Sequence, residues 1–464
     1  MPSLREAAIP ISFSPTAGAL EGAIAAIENA GDRSGSSVDA DGRRAAFARY
    51  EALPIPGSRP GGAWRHNYAK LVYDELTWSS DRLSVATLPF GPAPAPGDVP
   101  ALATDAVAGI VHAGSTLLVP PSLTAPRGVF VAALGDARRG TGVIAGTGSV
   151  DAFPRPFRVL EDAYTHDKFA ALATAFQNCG ALVYVAPGVV LDAPIQLVFA
   201  NADDTSAAVF PHILVVLGEG ARATVFERHV GEGRPFVCGV TAVHLGDRAE
   251  LDYVAIQNAG EEARVMMYRT GECGREAQLR WHVADLGATL ARSTIHARLD
   301  HPGASAQISS LFFNIGFQHV DLTTTVDHVV GDTTSNTVVR SAASDRGQGR
   351  YFGNIAIAPH AQGSDAFLRD DVLLLSKRAH IDSVPALEIA ANGVKAFHGA
   401  TVGSLDTEQL FYAQSRGIPE ADAVRMIALA FFEPAISRFP GEALRDEVRT
   451  LLDAKIDDAT DIHS

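Results

Sequence analysis

Cysteine is scarce in this chain: Cys179, Cys238 and Cys273 are the only 3 among 464 residues. They are odd in number, far apart and without C-x-x-C spacing, which argues against a disulfide framework, a zinc site or a dithiol pair and for a reducing compartment. Basic residues are also outnumbered. The 38 Lys and Arg stand against 53 Asp and Glu, a formal charge of -15, which repels nucleic-acid phosphates and anionic lipid alike, so neither is an expected partner. No apolar run approaches the roughly 20 residues that span a bilayer, and Met1 to Pro15 has no basic stretch followed by an apolar one. A cytoplasmic location away from membranes is expected. A G-x-x-x-x-G-K-[ST] loop is missing too, as is a G-x-G-x-x-G set between a strand and a helix, so no nucleotide is expected to be bound by this chain.

What is present is the composition of a folding protein, 47% hydrophobic and 20% charged. ALEGAIAAIE, within Thr16 to Glu28, repeats apolar residues at helical spacing, and a second short helix is predicted over Gly42 to Ala52. Pro- and Gly-rich stretches follow, Leu53 to Gly62 and Pro89 to Pro100, with Trp64, Arg65 and Tyr68 between them. From about Ile110 to Val402 short runs of Val, Ile, Thr, Tyr and Phe alternate with Gly, Asp and Asn; Thr165 to Asn178 alone reads as a helix.

A loose repeat runs through that middle. Gly220, Gly246, Gly274, Gly303 and Gly331 each open a turn followed by a small residue, and their spacing lies within the roughly 20 to 50 residues of stacked-repeat folds. One such repeat cannot bury its own apolar face, so the repeats stack and their strands pair in parallel. The pattern predicts a β-solenoid; the alternative is a large antiparallel sandwich. After Val402 the chain returns to helix. Ser404 or Asp406 is placed to cap EQLFYAQS, Gly417 to end it, and Pro419 to sit in the first turn of EADAVRMIALAFFE, a helix apolar enough to require burial. Pro434 and Pro440 punctuate that stretch, and a last amphipathic helix is predicted from Gly441 to Ile456. The organisation expected is an N-terminal partly helical region (1–109), a solenoid core (110–403) and a C-terminal helical region (404–464).

Two segments are far more specific than any short motif: AHIDSVPALEIAANGVKAFHGATVG at Ala379 to Gly403 and LFYAQSRGIPEADA at Leu410 to Ala423. With ALVYVAPGVVLDAPIQL at Ala181 to Leu197, HVVGDTTSNT at His328 to Thr337, FGNIAIAPHAQGSDA at Phe352 to Ala366 and LLLSKRAHIDS at Leu373 to Ser383, they make the chain resemble the SufB/SufD family of iron-sulfur cluster assembly proteins. The likeness spans about Ala181 to Phe432. HGATVG at His398 to Gly403 resembles the SufD form, because SufB members usually carry an acid where Gly399 stands.

The resemblance implies a mainly β fold, with a right-handed parallel β-helix core flanked by N- and C-terminal helical regions. It implies a non-catalytic scaffold subunit, a heterodimer with a SufB-like partner, and a SufC-like ABC ATPase bound through the C-terminal helices, where Leu410, Phe411, Tyr412, Arg416 and Gly417 lie. It further implies a transient iron-sulfur cluster shared with the partner, with His398 as candidate ligand. A neutral imidazole is a competent but weaker iron ligand than a thiolate, which suits a cluster that must leave. Many members place a cysteine two residues earlier; here that residue is Ala396, so thiolates would come from the partner.

Read from the residues alone, His398 is a structural histidine beside a glycine, Gly417 a helix terminator and Arg416 a complement to a helix C-terminus. Glu388 is a candidate acceptor orienting His398, or a solvated acid near a strand end. His328, His360 and His380 read as turn or surface residues, and the cysteines as small buried hydrophobes. Two other functions stand beside the scaffold: a carbohydrate-active β-helix enzyme, which would have to gather acids such as Asp321, Asp327 and Asp345, and a divergent homodimeric scaffold without a separate SufB.

Overall fold

The computed structural model describes residues 11–30, 38–56, 77–78, 106, 108–113, 116–118, 126–134, 165–200, 207–231 and 233–459. Trp64, Arg65 and Tyr68, most of both Pro-rich stretches and the tail after Ala459 lie outside them. The chain divides into two compact units, Met1–Ala249 with Ala259–Glu272, and Glu250–Asn258 with Cys273–Ser464.

In the first unit, strands pair in parallel in two sheets. Cys179–Val185, Pro211–Leu217 and Phe236–Leu245 follow one another in one, and Ala108–Ala113, Ile195–Ala200 and Arg222–Gly231 in the other. Short antiparallel pairings flank them, Val129–Ala133 on Cys179–Val185 and Thr116–Leu118 on Ala108–Ala113. The predicted helices are present as Ala17–Ala30, Ala40–Ala52 and Lys168–Phe176. Asp39 and Asp167 start the latter two, accepting Gly42 N at 2.7 Å and both Phe169 N and Ala170 N at 2.9 Å. The helix Ala40–Ala52 is held by cations that cap carbonyls. Buried Arg43 donates to Ala175 O at 2.7 Å and Gln177 O at 2.5 Å, closing the C-terminal end of the helix Lys168–Phe176. Burial lowers its pKa to about 9, partly countered by Asp39.

The second unit is the more regular. One sheet runs Leu290–Leu299, His319–His328, Gln348–Ile357, His380–Ile389, and the other Glu250–Ala259, Gln278–Asp285, Ser305–Asn314, Thr334–Ala343, Asp365–Leu374, Lys395–Ser404, every neighbouring pair parallel. Successive strands of one sheet are separated in sequence by a strand of the other, which makes the fold a parallel β-solenoid rather than an antiparallel sandwich. Period-2 alternation stacks one buried row through the coils: Tyr253, Trp281, Ile308, Thr337 and Leu368, each directly opposite the next and at most 1% exposed.

The glycine repeat marks one corner of these coils, but glycine is not its invariant. The left-handed residue is Gly220 and then Arg248 in the first unit; in the second it is Glu276, Gly303, Asp332 and Gly363. The N–H at this corner bonds to the next coil's carbonyl, as in Glu276 to Pro302, Gly303 to Asp332, Asp332 to Gln362 and Gly363 to Gly393. That stacked bond offsets the roughly 1–2 kcal/mol a side chain costs in this conformation.

C-terminal helices Thr407–Ser415, Glu420–Ile436 and Glu442–Asp458 complete the second unit. Asp406 is the cap, accepting Glu408 N at 2.9 Å, and Gly417 ends the first helix at φ +85. The apolar helix buries Val424, Ala428, Phe432, Ala435 and Ile436 against the outer face of the strands Ser305–Asn314 and Thr334–Ala343. Ser309 Oγ donates to Ala435 O at 3.0 Å and Arg438 to Asn336 Oδ1 at 2.8 Å. Pro434 does not end this helix as its sequence position suggested: it lies in the last turn, where its missing N–H costs a single bond. Among the described residues no helix is long and apolar enough to cross a membrane.

Candidate functional site

His398 lies on the last strand of its sheet, Lys395–Ser404, which pairs with Asp365–Leu374 on one edge only. Its register partner is Leu368, so it continues the buried row Tyr253–Trp281–Ile308–Thr337–Leu368 by one more position. Leu368 is 1% exposed, whereas His398 is exposed, because among the described residues no further strand pairs beyond it. The imidazole therefore stands at the open end of a sealed core. Phe397, 51% exposed, stacks on Phe367 at 5.2 Å, and Val402, 55% exposed, adds a further apolar side chain to the same strand. An exposed, unpaired strand edge with apolar side chains is a template for pairing with another chain.

Two neighbouring acids below this strand have opposite environments. Asp370, opposite Ala400, is fully buried, and neither carboxylate oxygen has a partner in hydrogen-bonding geometry. Burial raises it to about 7, with Asp371 adding to the rise and the Ser383 hydroxyl and Arg340 offsetting part of it. Asp371, opposite Thr401, has many partners: Arg340, Arg369 Nε at 2.8 Å and the Thr401 hydroxyl, which donates to it. Burial alone would raise Asp371, but the bonds from Arg369 and Thr401 and the charges of Arg340 and Arg369 outweigh it and hold it below the usual carboxylate value.

Glu388 and His398 stand on the last strands of different sheets. Glu388 is exposed, accepts a long bond from Asn354 Nδ2 at 3.4 Å, and lines a 520 Å³ groove with Asp327, His328 and Ile389. No described hydrogen bond joins it to His398. The histidines of the other motifs differ from one another. His328 is a buried corner residue rather than a surface one, bonded to Thr333 Oγ1 at 2.7 Å and Ser335 Oγ at 2.8 Å, and burial lowers its pKa to about 4. His360 is on an exposed turn and His380 bonds Asp382 at 2.7 Å.

On the C-terminal helices, Phe411 and Tyr412 are 72% and 61% exposed, Leu410 is half-buried, and Arg416 lies over the Tyr412 ring at 5.1 Å beside exposed Gly417. Met426, 56% exposed on the following helix, is a further exposed apolar side chain.

Sequence reasoning missed a charged cluster inside the first unit. Glu227, His229 and Arg269 are all fully buried; Glu227 Oε1 accepts from His229 Nε2 at 2.6 Å and Arg269 at 3.2 Å, and Thr241 donates to Oε2 at 3.4 Å. The available signal was FERHV, where Glu227 and His229 take the same side as Val225 on a strand whose apolar positions face inward.

Two of the acids singled out for a carbohydrate-cleaving site are held far apart. Asp321 and Asp327 are 6 residues apart on one strand, roughly 20 Å, against the roughly 5–9.5 Å such chemistry needs. Asp345 instead receives Gly316 N at a corner. Among the described residues no 3 or more of His, Cys, Asp and Glu are grouped to hold a metal ion, and all 3 cysteines are buried and in no disulfide.

Comparison with known proteins bears on the same region. Residues 198–431 match the family described as SUF system FeS cluster assembly, SufBD core domain. The chain is 29% identical over 326 residues to iron-sulfur cluster assembly protein SufD of Escherichia coli (69% of this chain, 74% of that one) and 27% identical over 296 residues to SufD of Bacillus subtilis (62% and 67%). It is also 27% identical over 281 residues to SufB of B. subtilis, covering 60% of each.

Proposed function

Since the chain belongs to the SufB/SufD family of iron-sulfur cluster assembly proteins, its likeness being best to the SufD type, we propose that it is a non-enzymatic scaffold subunit. It docks a SufB-like sister subunit along the open strand Lys395–Ser404 and a SufC-like ATPase on the helices from Thr407 onward. The observation that carries this reading is His398: a register position buried in every preceding coil comes to the surface on an unpaired edge.

A cluster assembled there is cargo, held by thiolates of the sister subunit and the His398 imidazole. With Ala396 in place of a thiol and no other cysteine on this strand, the isolated chain holds iron weakly. A neutral nitrogen donor favours release over storage. Exposed Phe411 and Tyr412, with Arg416 stacked on the latter, supply the aromatic and arginine anchors from which binding surfaces draw most of their energy.

The test is co-expression with SufB-like and SufC-like partners, anaerobic purification and visible spectroscopy. His398→Ala is expected to leave the complex intact and lower cluster formation; unchanged cluster formation contradicts the ligand role. Truncation after Gly403 is expected to abolish ATPase binding, and retained binding contradicts that docking site. A homodimer that assembles cluster with no sister subunit would replace the heterodimer reading.

A further inference from the structure

The outer face of the second unit carries a polar row with an unusual course. Leu311, Arg340, Asp371 and Thr401 lie directly opposite one another on four successive strands. Leu311 is on a strand beneath the apolar C-terminal helix, and Thr401 is on the open strand with His398. Arg340 lies under Phe431 of that helix, its guanidinium carbon 5.3 Å from the ring centroid, and pairs with Asp371; the other oxygen of Asp371 accepts the Thr401 hydroxyl. Arg340 and Asp371 side chains are 16% and 4% exposed, so the pair is screened little by salt. A buried pair of this kind adds little net stability over apolar residues of equal size, but breaking one side of it is costly. Its main effect is to make the partners move together.

We propose that Phe431, Arg340, Asp371 and Thr401 form a mechanical link through which the C-terminal helices position the open strand, with Asp371 as the positioning residue. This rests on the reading that those helices and that strand meet different partners. Displacing the helix Glu420–Ile436 takes the aromatic face off Arg340. Arg340 then turns toward water, Asp371 is left to swing toward exposed Arg369, and its bond from Thr401, the open strand's tether to the sheet's outer face, loosens. A movement imposed on the helices thereby alters the presentation of Phe397 and His398 without any of these four residues touching the cargo.

Hydrogen-deuterium exchange on the full chain alone tests the link without any partner. Phe431→Leu, which keeps bulk and removes the ring face, is expected to speed exchange of the 395–404 amides by about two- to thirty-fold, the range of coupling through packed networks. In an Arg340→Met background the same change is expected to add nothing further. Thr401→Val should reproduce the acceleration and Thr401→Ser should not, because serine keeps the hydroxyl. Met426→Ala, on the same helix but exposed, should leave the strand unaffected. Additive effects of Phe431→Leu and Arg340→Met, equal acceleration by Met426→Ala, or no acceleration by Thr401→Val would each overturn the link. Failure of cluster assembly in the co-expressed wild type, with this exchange pattern intact, would instead count against the proposed function.

Discussion

The strands Asp365–Leu374 and Lys395–Ser404 are paired residue for residue over ten positions, yet their chemistry has diverged. In the first, Ala366, Leu368, Asp370 and Val372 are sealed inside the solenoid; in the second, the matching Ala396, His398, Ala400 and Val402 are half-buried or exposed. The backbone environment is nearly the same, so the difference comes from what lies above each strand. A coil is stabilised from both sides, and the last coil lacks one side. Residues there are released from packing demands and are available to meet another molecule.

Substitutions inside and at the end should therefore differ sharply. Arg269→Ala leaves Glu227 charged and buried with His229 and Thr241, and should lower unfolding free energy by about 3–5 kcal/mol in denaturant titrations. Leu368→Ala should cost about 2–5 kcal/mol. A cost for Leu368→Ala no greater than that of an edge substitution would break the comparison.

Asp370→Asn should act in the opposite sense. The folded Asp370 pKa, about 7, lies above its unfolded value of 3.8, so the native state holds a proton that the unfolded chain gives up. Stability contributed at this residue is therefore present below pH about 4, declines as pH rises toward 7, and stays lost above it. Asparagine does not titrate, so the variant should nearly match the wild type at pH 4 and exceed it by on the order of 4 kcal/mol at pH 8. Paired denaturant midpoints at the two pH values measure this; a gap that does not change with pH would place the carboxylate in a solvated site. The smallest effect is expected at His398→Ala, within about 0.5 kcal/mol in the isolated chain, although it shares a register row with Leu368.

Much of this contrast was legible in the residues. The repeat spacing, the helices around Asp167 and Asp406 and the return to helix after Val402 are local signals, and His398 could be placed in the final strand from its motif alone. Other features depend on partners distant in sequence. Glu227 and His229 were passed over because their partner Arg269 is 42 residues away from Glu227, and His328 reads as a turn residue until Thr333 and Ser335 close around it. The corner repeat was partly misread for a related reason: hydrogen bonds between coils let Arg248, Glu276 and Asp332 take a conformation that sequence rules reserve for glycine. That Glu388 and His398 stand on different sheets follows from the alternation of two sheets, which spacing along the chain does not reveal.

At a second corner the left-handed residues are Ala288, Gly316 and Asp345. A side chain added at Gly316 would meet nothing within 4 Å, and the next residue, Phe317, is 76% exposed. Gly316 itself sits at φ +56, which favours glycine, so exposed Phe317 is the natural attachment point: a fluorophore placed on it would report on this corner while leaving the walls of the coil alone.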